Sequence, residues 1–529
     1  MAKLFETGGI YPPPSHIPRL ARYKRGRTIF DGRHPEIYER ASSLLKDTPH
    51  AAQLKTLFIA VNLMDILLTK PADLLTGEPP TYESGKGPGS REQERLDSIV
   101  EENDLTQMTH ELVIGGGYRG DSFIKAYYAA RADTSETEAI AEELGLTAPE
   151  SRPEPIIEAV PANIVFPELS VGSRKKFRAI NVAWIDWVEE PGGKVVRWIY
   201  GKAESYVPYL VVERYIPGYI IYERYKLSEG HVDTEWGVPI STYTIGEQVA
   251  TGREVDVVET GTPELLIRHI PYKSVDDRWE GINGVEKLES VLSAINERLA
   301  QIDYILWKHS DPTSYGPDVD DGGDTTRFGG RYLPLEKDDV TPGYMTWDGQ
   351  LDAAFRELDI LLGLVYQMSE TPQWLFGTTL ANDKGGTGTS HTDSGAIKAR
   401  FMPILAKVNR IRAHVDRALR DAIWTAMQLE NFANKGVDGF EPYEPIYPRI
   451  NWRDGIPIDE KEAAEVANIR TGGKPTQSVL DAIKTLDGVD EAMASEMITR
   501  IDADEERTMG TVDASVFNDV GGGTTGGAA

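Results

Sequence analysis

The chain has 529 residues, too many for one ordinary hydrophobic core, so two to four domains or segments are expected. It carries no cysteine, which excludes disulfides, thiolate metal sites and cysteine nucleophiles and suits a reducing compartment. A formal charge of -28 argues against a protein that coats nucleic acid, which needs Lys and Arg for the phosphates, but not against one that lets DNA pass.

The opening residues lack the apolar core of a signal peptide, and no run approaches the roughly 20 apolar residues of a membrane span. A soluble, unexported chain that contacts no membrane is expected. An N-terminal arm (1–50) combines Pro12-Pro13-Pro14 with Arg19, Arg22, Lys24, Arg25, Arg27 and Arg33. Its local positive charge marks either a contact with an acidic neighbour or a solvated surface arm. The apolar run from Ala51 to Leu75 predicts a buried helix ending near Pro71 or at Gly77, and a second helix follows over 91–113. Gly115-Gly116-Gly117-Tyr118-Arg119-Gly120 formally matches the dinucleotide fingerprint. That motif needs a strand before it and a helix after it. Here a helical pattern precedes and the strand-like Ser122–Tyr128 follows, so a helix-to-strand turn is the better reading.

Residues 150–275 are richest in β signals: Val195–Tyr200, Tyr209–Glu213 and Tyr219–Tyr222 are β-branched or aromatic runs separated by Gly, Pro and charged turns. They predict an antiparallel sheet built on the N-terminal helices, its aromatics stacked in the core in preference to forming a binding platform.

Two long helices then flank an acidic insert. Val285, Leu288, Leu292, Ile295, Leu299, Ile302 and Leu306 alternate three and four steps apart, one helical stripe that stops at His309-Ser310-Asp311-Pro312. In the insert, Asp318, Asp320 and Asp324 look like part of a calcium loop. The expected glutamate is missing, and no metal ligand set is assigned. Strands are predicted at Arg331–Leu335 and Tyr344–Trp347. The stripe returns at Leu351, Phe355, Leu358, Leu362 and Val365. The next loop holds Lys384-Gly385-Gly386-Thr387-Gly388-Thr389-Ser390, whose order is wrong for a Walker loop. A third helix, from Ser394, carries Lys398, Arg400, Lys407, Arg410, Arg412, Arg417 and Arg420, and Pro403 predicts a kink near Ala399–Arg400. Its basic face is either a solvated or salt-bridged subunit face or a nucleic-acid track. A Pro/Tyr-rich connector (Phe440–Pro448), short acidic helices over 459–508 and a Gly-rich tail expected to be disordered complete the chain.

No nucleophile, base and orienting group recur in a catalytic pattern, and no phosphate loop with magnesium ligands is present. The chain reads as an assembly protein, not an enzyme, with no cofactor.

In the order of its parts it resembles the portal proteins (head-to-tail connectors) of tailed bacteriophages. The resemblance rests on Phe58–Pro79, Tyr118-Arg119-Gly120-Asp121-Ser122-Phe123, Trp279–Pro312, Tyr344–Gly377 and the glycine-rich loop before Ser394-Gly395, and it covers about residues 50–430. It implies an α+β subunit with a mixed α/β wing (51–280), a helical-hairpin stem (281–310 and 349–372), a small β-containing clip (311–348), a tunnel loop (373–393), a long wing helix and connector (394–454), an α-helical crown (455–508) and a tail (509–529). It further implies a homo-oligomeric ring, usually of twelve subunits, at one capsid vertex of the virion, assembled in the host cytoplasm. Double-stranded DNA would pass through it without sequence preference. Its expected partners are the terminase large subunit, a head-tail adaptor, and the major capsid and scaffolding proteins. Lys384, Thr387, Thr389, Ser390, Lys398 and Arg400 would then touch DNA. Asp318, Asp320, Asp321, Asp324, Arg327 and Arg331 would form the docking surface of the clip. Leu288, Leu292, Ile295, Leu299, Ile302, Phe355, Leu358 and Leu362 would pack the stem. The alternative is another oligomeric scaffold or adaptor without a DNA channel.

Overall fold

The basic N-terminal segment folds inward instead of standing off as a solvated arm. After the short strand β1 (Ile10–Tyr11), helix α1 (Ile17–Phe30) lays its cations against partners within the chain. Arg19 is 1% exposed and donates to the carbonyls of Ala162 and Val165. Arg22 pairs with Glu280, and Arg25 with Glu289. These contacts belong to a computed structural model that describes residues 3–32, 61–87, 89–132, 134–147, 152–191, 204–309, 314–317, 332–335, 343–344, 351–376, 394–453, 455, 460–489 and 491–510.

Helix α2 (Leu63–Thr76) runs through Pro71 and ends at Gly77. A proline at 71 has no N–H to give the carbonyl of Leu67, four residues earlier. Lys407 Nζ, 3.4 Å away, donates to that carbonyl instead. Strand β2 (Thr81–Glu83) leads to α3 (Arg91–Glu102) and α4 (Leu105–Arg119). The single helix predicted over 91–113 is therefore two. Asp104 breaks it at φ 41 and caps α4, its side chain accepting from the Gln107 N–H. The glycine run is also not a turn, because Gly115, Gly116 and Gly117 lie inside α4. A Cβ on Gly117 would stand 3.1 Å from the Leu68 side chain and one on Gly116 2.9 Å from Ser122 Oγ, so the glycines allow close approach of α2 and the next strand. The turn itself is at Gly120, φ 100.

Strand β3 (Asp121–Ala130), helix α5 (Ser135–Leu144) and the strands β4 (Pro153–Val160), β5 (Val165–Leu169), β6 (Phe177–Pro191), β7 (Glu204–Ile216), β8 (Tyr219–Glu235), β9 (Val238–Val249), β10 (Val257–Glu259) and β11 (Ile267–Pro271) follow. They build a seven-stranded antiparallel sheet, β1-β9-β8-β7-β6-β5 with β10 on β8, and a three-stranded sheet β11-β3-β4. Phe5, Phe166, Val182, Leu210 and Ile245 are the core beneath the large sheet.

A second core lies among the helices. Asn283 Oδ1 accepts from the Val285 and Glu286 N–H groups and organises a turn, so helix α6 (Glu289–His309) starts four residues after Val285, the first residue of the stripe. Three short strands follow: β12 (Ser314–Pro317), β13 (Tyr332–Leu335) and β14 (Gly343–Tyr344). β12 is parallel to β13 and antiparallel to β14. Helix α7 (Leu351–Ser369) returns, and α8 (Ser394–Ala433) spans 40 residues, about 60 Å, with Pro403 inside it and not ending it. Strand β15 (Arg449–Asn451) pairs with β2, and helices α9 (Glu460–Thr471), α10 (Val479–Asp487) and α11 (Glu491–Gly510) finish the described chain. The molecule is a mixed, α+β arrangement of helices and sheets.

Candidate assembly site: the α6–α7 hairpin and its root

Two of the motifs singled out in the sequence meet at the foot of the hairpin. Gly120 and Gly281 cross so closely that a Cβ on Gly120 would stand 2.6 Å from the Gly281 carbonyl oxygen. Only glycine fits the left-handed Gly120 at this distance. Asp121, 1% exposed, accepts from Tyr23 Oη (2.5 Å), from His269 Nε2 (2.6 Å) and from the Gly281 N–H (2.7 Å). Burial alone raises a carboxyl pKa. The hydrogen bonds from His269, Tyr23 and Gly281 outweigh it, and Asp121 stays below its ordinary value. Phe123, Phe177 and Trp279 surround the imidazole. The pair is a strut that ties α1, β3 and β11 to the start of the hairpin. Asn296 adds a second tie inside α6: fully buried, it accepts from the Val61 N–H at 2.7 Å and donates to the Leu292 carbonyl.

Above this root the helices run antiparallel. Lys287 Nζ lies 4.0 Å from Glu370 at the base, and Arg298 Nη2 lies 2.6 Å from Glu357 about three turns higher. Leu288, Leu292, Ile295 and Ile302 are buried. Leu299, Leu358 and Leu362 are half-buried against the same core, which also takes in Val365 and the α8 residues Ile404, Val408, Ile411 and Val415. Phe355 is 46% exposed within the chain.

The apolar surface of α7 is wider than its stripe. Ile360 (64% exposed) and Leu364 (40%) lie on the side of the helix turned away from Leu358, Leu361 and Val365. Leu306 on α6 and Met402 on α8 are exposed as well. Sequence reasoning passed over Ile360 and Leu364. The signal was the near-continuous run Ile360-Leu361-Leu362-Gly363-Leu364-Val365, too apolar for a helix with one wet face.

The basic face of α8 is salt-bridged and hydrogen-bonded within the chain along part of its length. Lys407 is buried, Arg410 pairs with Glu370, and Arg412 donates to the Arg453 carbonyl. Arg420 donates to the Pro448 carbonyl and to Asp416. Arg400 is half-exposed and Arg417 exposed. The side chain of Lys398 lies outside the described residues. So do Lys384, Thr387, Thr389 and Ser390 of the loop, and Asp318, Asp320, Asp321, Asp324, Arg327 and Arg331 of the insert.

Among the described residues, no helix is long and apolar enough to cross a membrane. No protein-family model matches the chain, and no curated protein matches it.

Proposed function

We propose that this chain is the subunit of a bacteriophage portal, a ring at one capsid vertex through which double-stranded DNA is packaged and ejected. The observation that supports this reading most is the hairpin: a root pinned to the sheets, an antiparallel rise, a small sheet between its two helices, and an α7 whose outer apolar side the described residues leave uncovered. A patch of this kind on one subunit is suited to packing against a different surface of the next copy. Such head-to-tail contacts close into a ring when the rotation allows. In this reading the hairpin is the stem, and Leu306, Phe355, Ile360 and Leu364 face a neighbour.

The acidity of the chain fits a channel wall, since carboxylates repel DNA phosphates and keep a moving duplex from sticking. Lys384 and its loop would add weak, salt-sensitive contacts to passing DNA. The insert would offer Asp318, Asp320, Asp321 and Asp324 to the terminase and the adaptor, while the capsid and scaffolding proteins would meet the wing.

Negative-stain images of the purified chain test the reading. It predicts rings with a central hole wide enough for a duplex, retained when residues 380–390 are deleted although DNA retention changes. Rings with a closed centre would favour a scaffold or adaptor without a channel, and monomers at micromolar concentration would overturn both.

A further inference from the structure

A small cavity at the junction of α2, the end of α7 and α8 is lined by more positive charge than the described residues around it neutralise. Lys273, Lys287, Lys407 and Arg410 border it, and Glu370 is the one carboxylate among the residues lining it. In a protein with a net charge of -28 this excess is local and unusual. Glu370, the first residue past α7, sits at φ 59, and its carboxylate is engaged by Arg410 and by Lys287 at 4.0 Å.

Two groups face the cavity from the protein side. Lys407 is 8% exposed. It donates to the Leu67 carbonyl left open by Pro71 and, at 3.1 Å, to the Ser369 carbonyl near the end of α7. An ammonium carries three N–H groups, so its third has no partner among the described residues. Tyr272 is 7% exposed, and its hydroxyl has no hydrogen-bond partner among the described residues. Burial holds that phenol in its protonated, donor form, and both Glu370 and Arg410 act on it electrostatically, which puts the hydroxyl beside the cluster. An unpaired buried donor costs free energy that a ligand accepting from it recovers. The cavity measures about 50 Å³. Since roughly 10–15 Å³ holds one water, this is room for a few waters or one small anion.

We propose that this cavity binds one small tetrahedral oxyanion, of the inorganic phosphate or sulfate class, with Lys407 and Tyr272 donating from inside and Lys287 and Arg410 closing the mouth. The anion bridges α2, α7 and α8, so its binding stiffens the root of the hairpin. Anion binding here is independent of what the hairpin does in an assembly.

Lys407 makes the site sensitive to pH. Burial, followed by the neighbouring Lys287 cation, lowers its pKa to about 8, against the opposing pull of Glu370 and with a further lowering by Arg410. The groups facing it are thus Lys287, Arg410 and Glu370, with Lys273 and Tyr272 on the same lining. Its charge, and with it the affinity for an anion, falls as pH rises through about 8.

Titration calorimetry of the full chain with inorganic phosphate, at ionic strength held constant with sodium chloride, tests the proposal. One saturable site per chain is expected, together with a phosphate-dependent rise in melting temperature. Tyr272→Phe removes only the hydroxyl, so it should fold normally while weakening phosphate binding roughly tenfold. Lys287→Met changes an exposed side chain and should weaken it by a similar factor. Repeating the titration with sulfate, which does not itself titrate there, should show affinity declining above about pH 8. The proposal is overturned if phosphate does no more than sodium chloride, or if both variants bind it as the unaltered chain does.

Discussion

In α8 the apolar residues Ile404, Val408, Ile411, Val415, Leu419 and Ile423 are all at most 3% exposed, whereas α7 leaves Phe355, Ile360 and Leu364 between 40 and 64% exposed. Several cations of α8 find carbonyls and carboxylates within the chain, as Arg410 does with Glu370 and Arg420 with Pro448 and Asp416. Outer α7 finds no such cover among the described residues. The difference separates two kinds of helix that look alike in composition. Along one, the central apolar stripe is buried by the described residues, and the other carries apolar surface that the described residues leave in water.

The largest effect that sharpens this contrast is on stability. Leu419→Ala, at a position with no exposure, should cost the isolated subunit about 3 kcal/mol through lost transfer energy and a cavity. Leu364→Ala should cost well under about 1 kcal/mol. Urea unfolding at concentrations too low for assembly measures both. Equal losses would mean that α7 is covered within the subunit and that the contrast is false.

A smaller effect concerns the root that both helices share. Asp121→Asn removes a charge that accepts three hydrogen bonds, and it should cost about 2 kcal/mol near neutral pH. The sign with pH follows from the lowered pKa of Asp121, which lies below its ordinary 3.8. Such a group contributes stability that is fully present above about pH 4 and is lost as pH falls through the lower, folded value. The unaltered chain should therefore lose stability in acid more steeply than Asp121→Asn does. Parallel acid limbs in thermal melts would contradict the assignment.

Much of this architecture was legible in periodicity alone. The two stripes and the long third helix follow from apolar spacing, because burying one side of a helix leaves a regular trace, and the expected strand at Arg331–Leu335 is present as Tyr332–Leu335. What escaped depends on residues far apart in the chain. The break at Asp104 needs a left-handed backbone that propensity does not announce. The helical glycines at 115–117 are explained by Leu68 and Ser122, which no local pattern links to them. Asp121 looked like one residue of a loose motif until its partners at Tyr23, His269 and Gly281 came together around it. Lys407 read as part of a basic face, yet a proline 336 positions earlier leaves open the carbonyl it caps.

In the proposed ring, assembly of the chain depends on the outer side of α7. Sedimentation velocity of the purified chain beside the double variant Ile360→Asp, Leu364→Asp, with circular dichroism on each, tests it directly. The unaltered chain should sediment as a closed multi-subunit assembly, and the double variant as a folded single subunit with unchanged secondary structure. A double variant that still assembles, or an unaltered chain that sediments as a monomer, would contradict it.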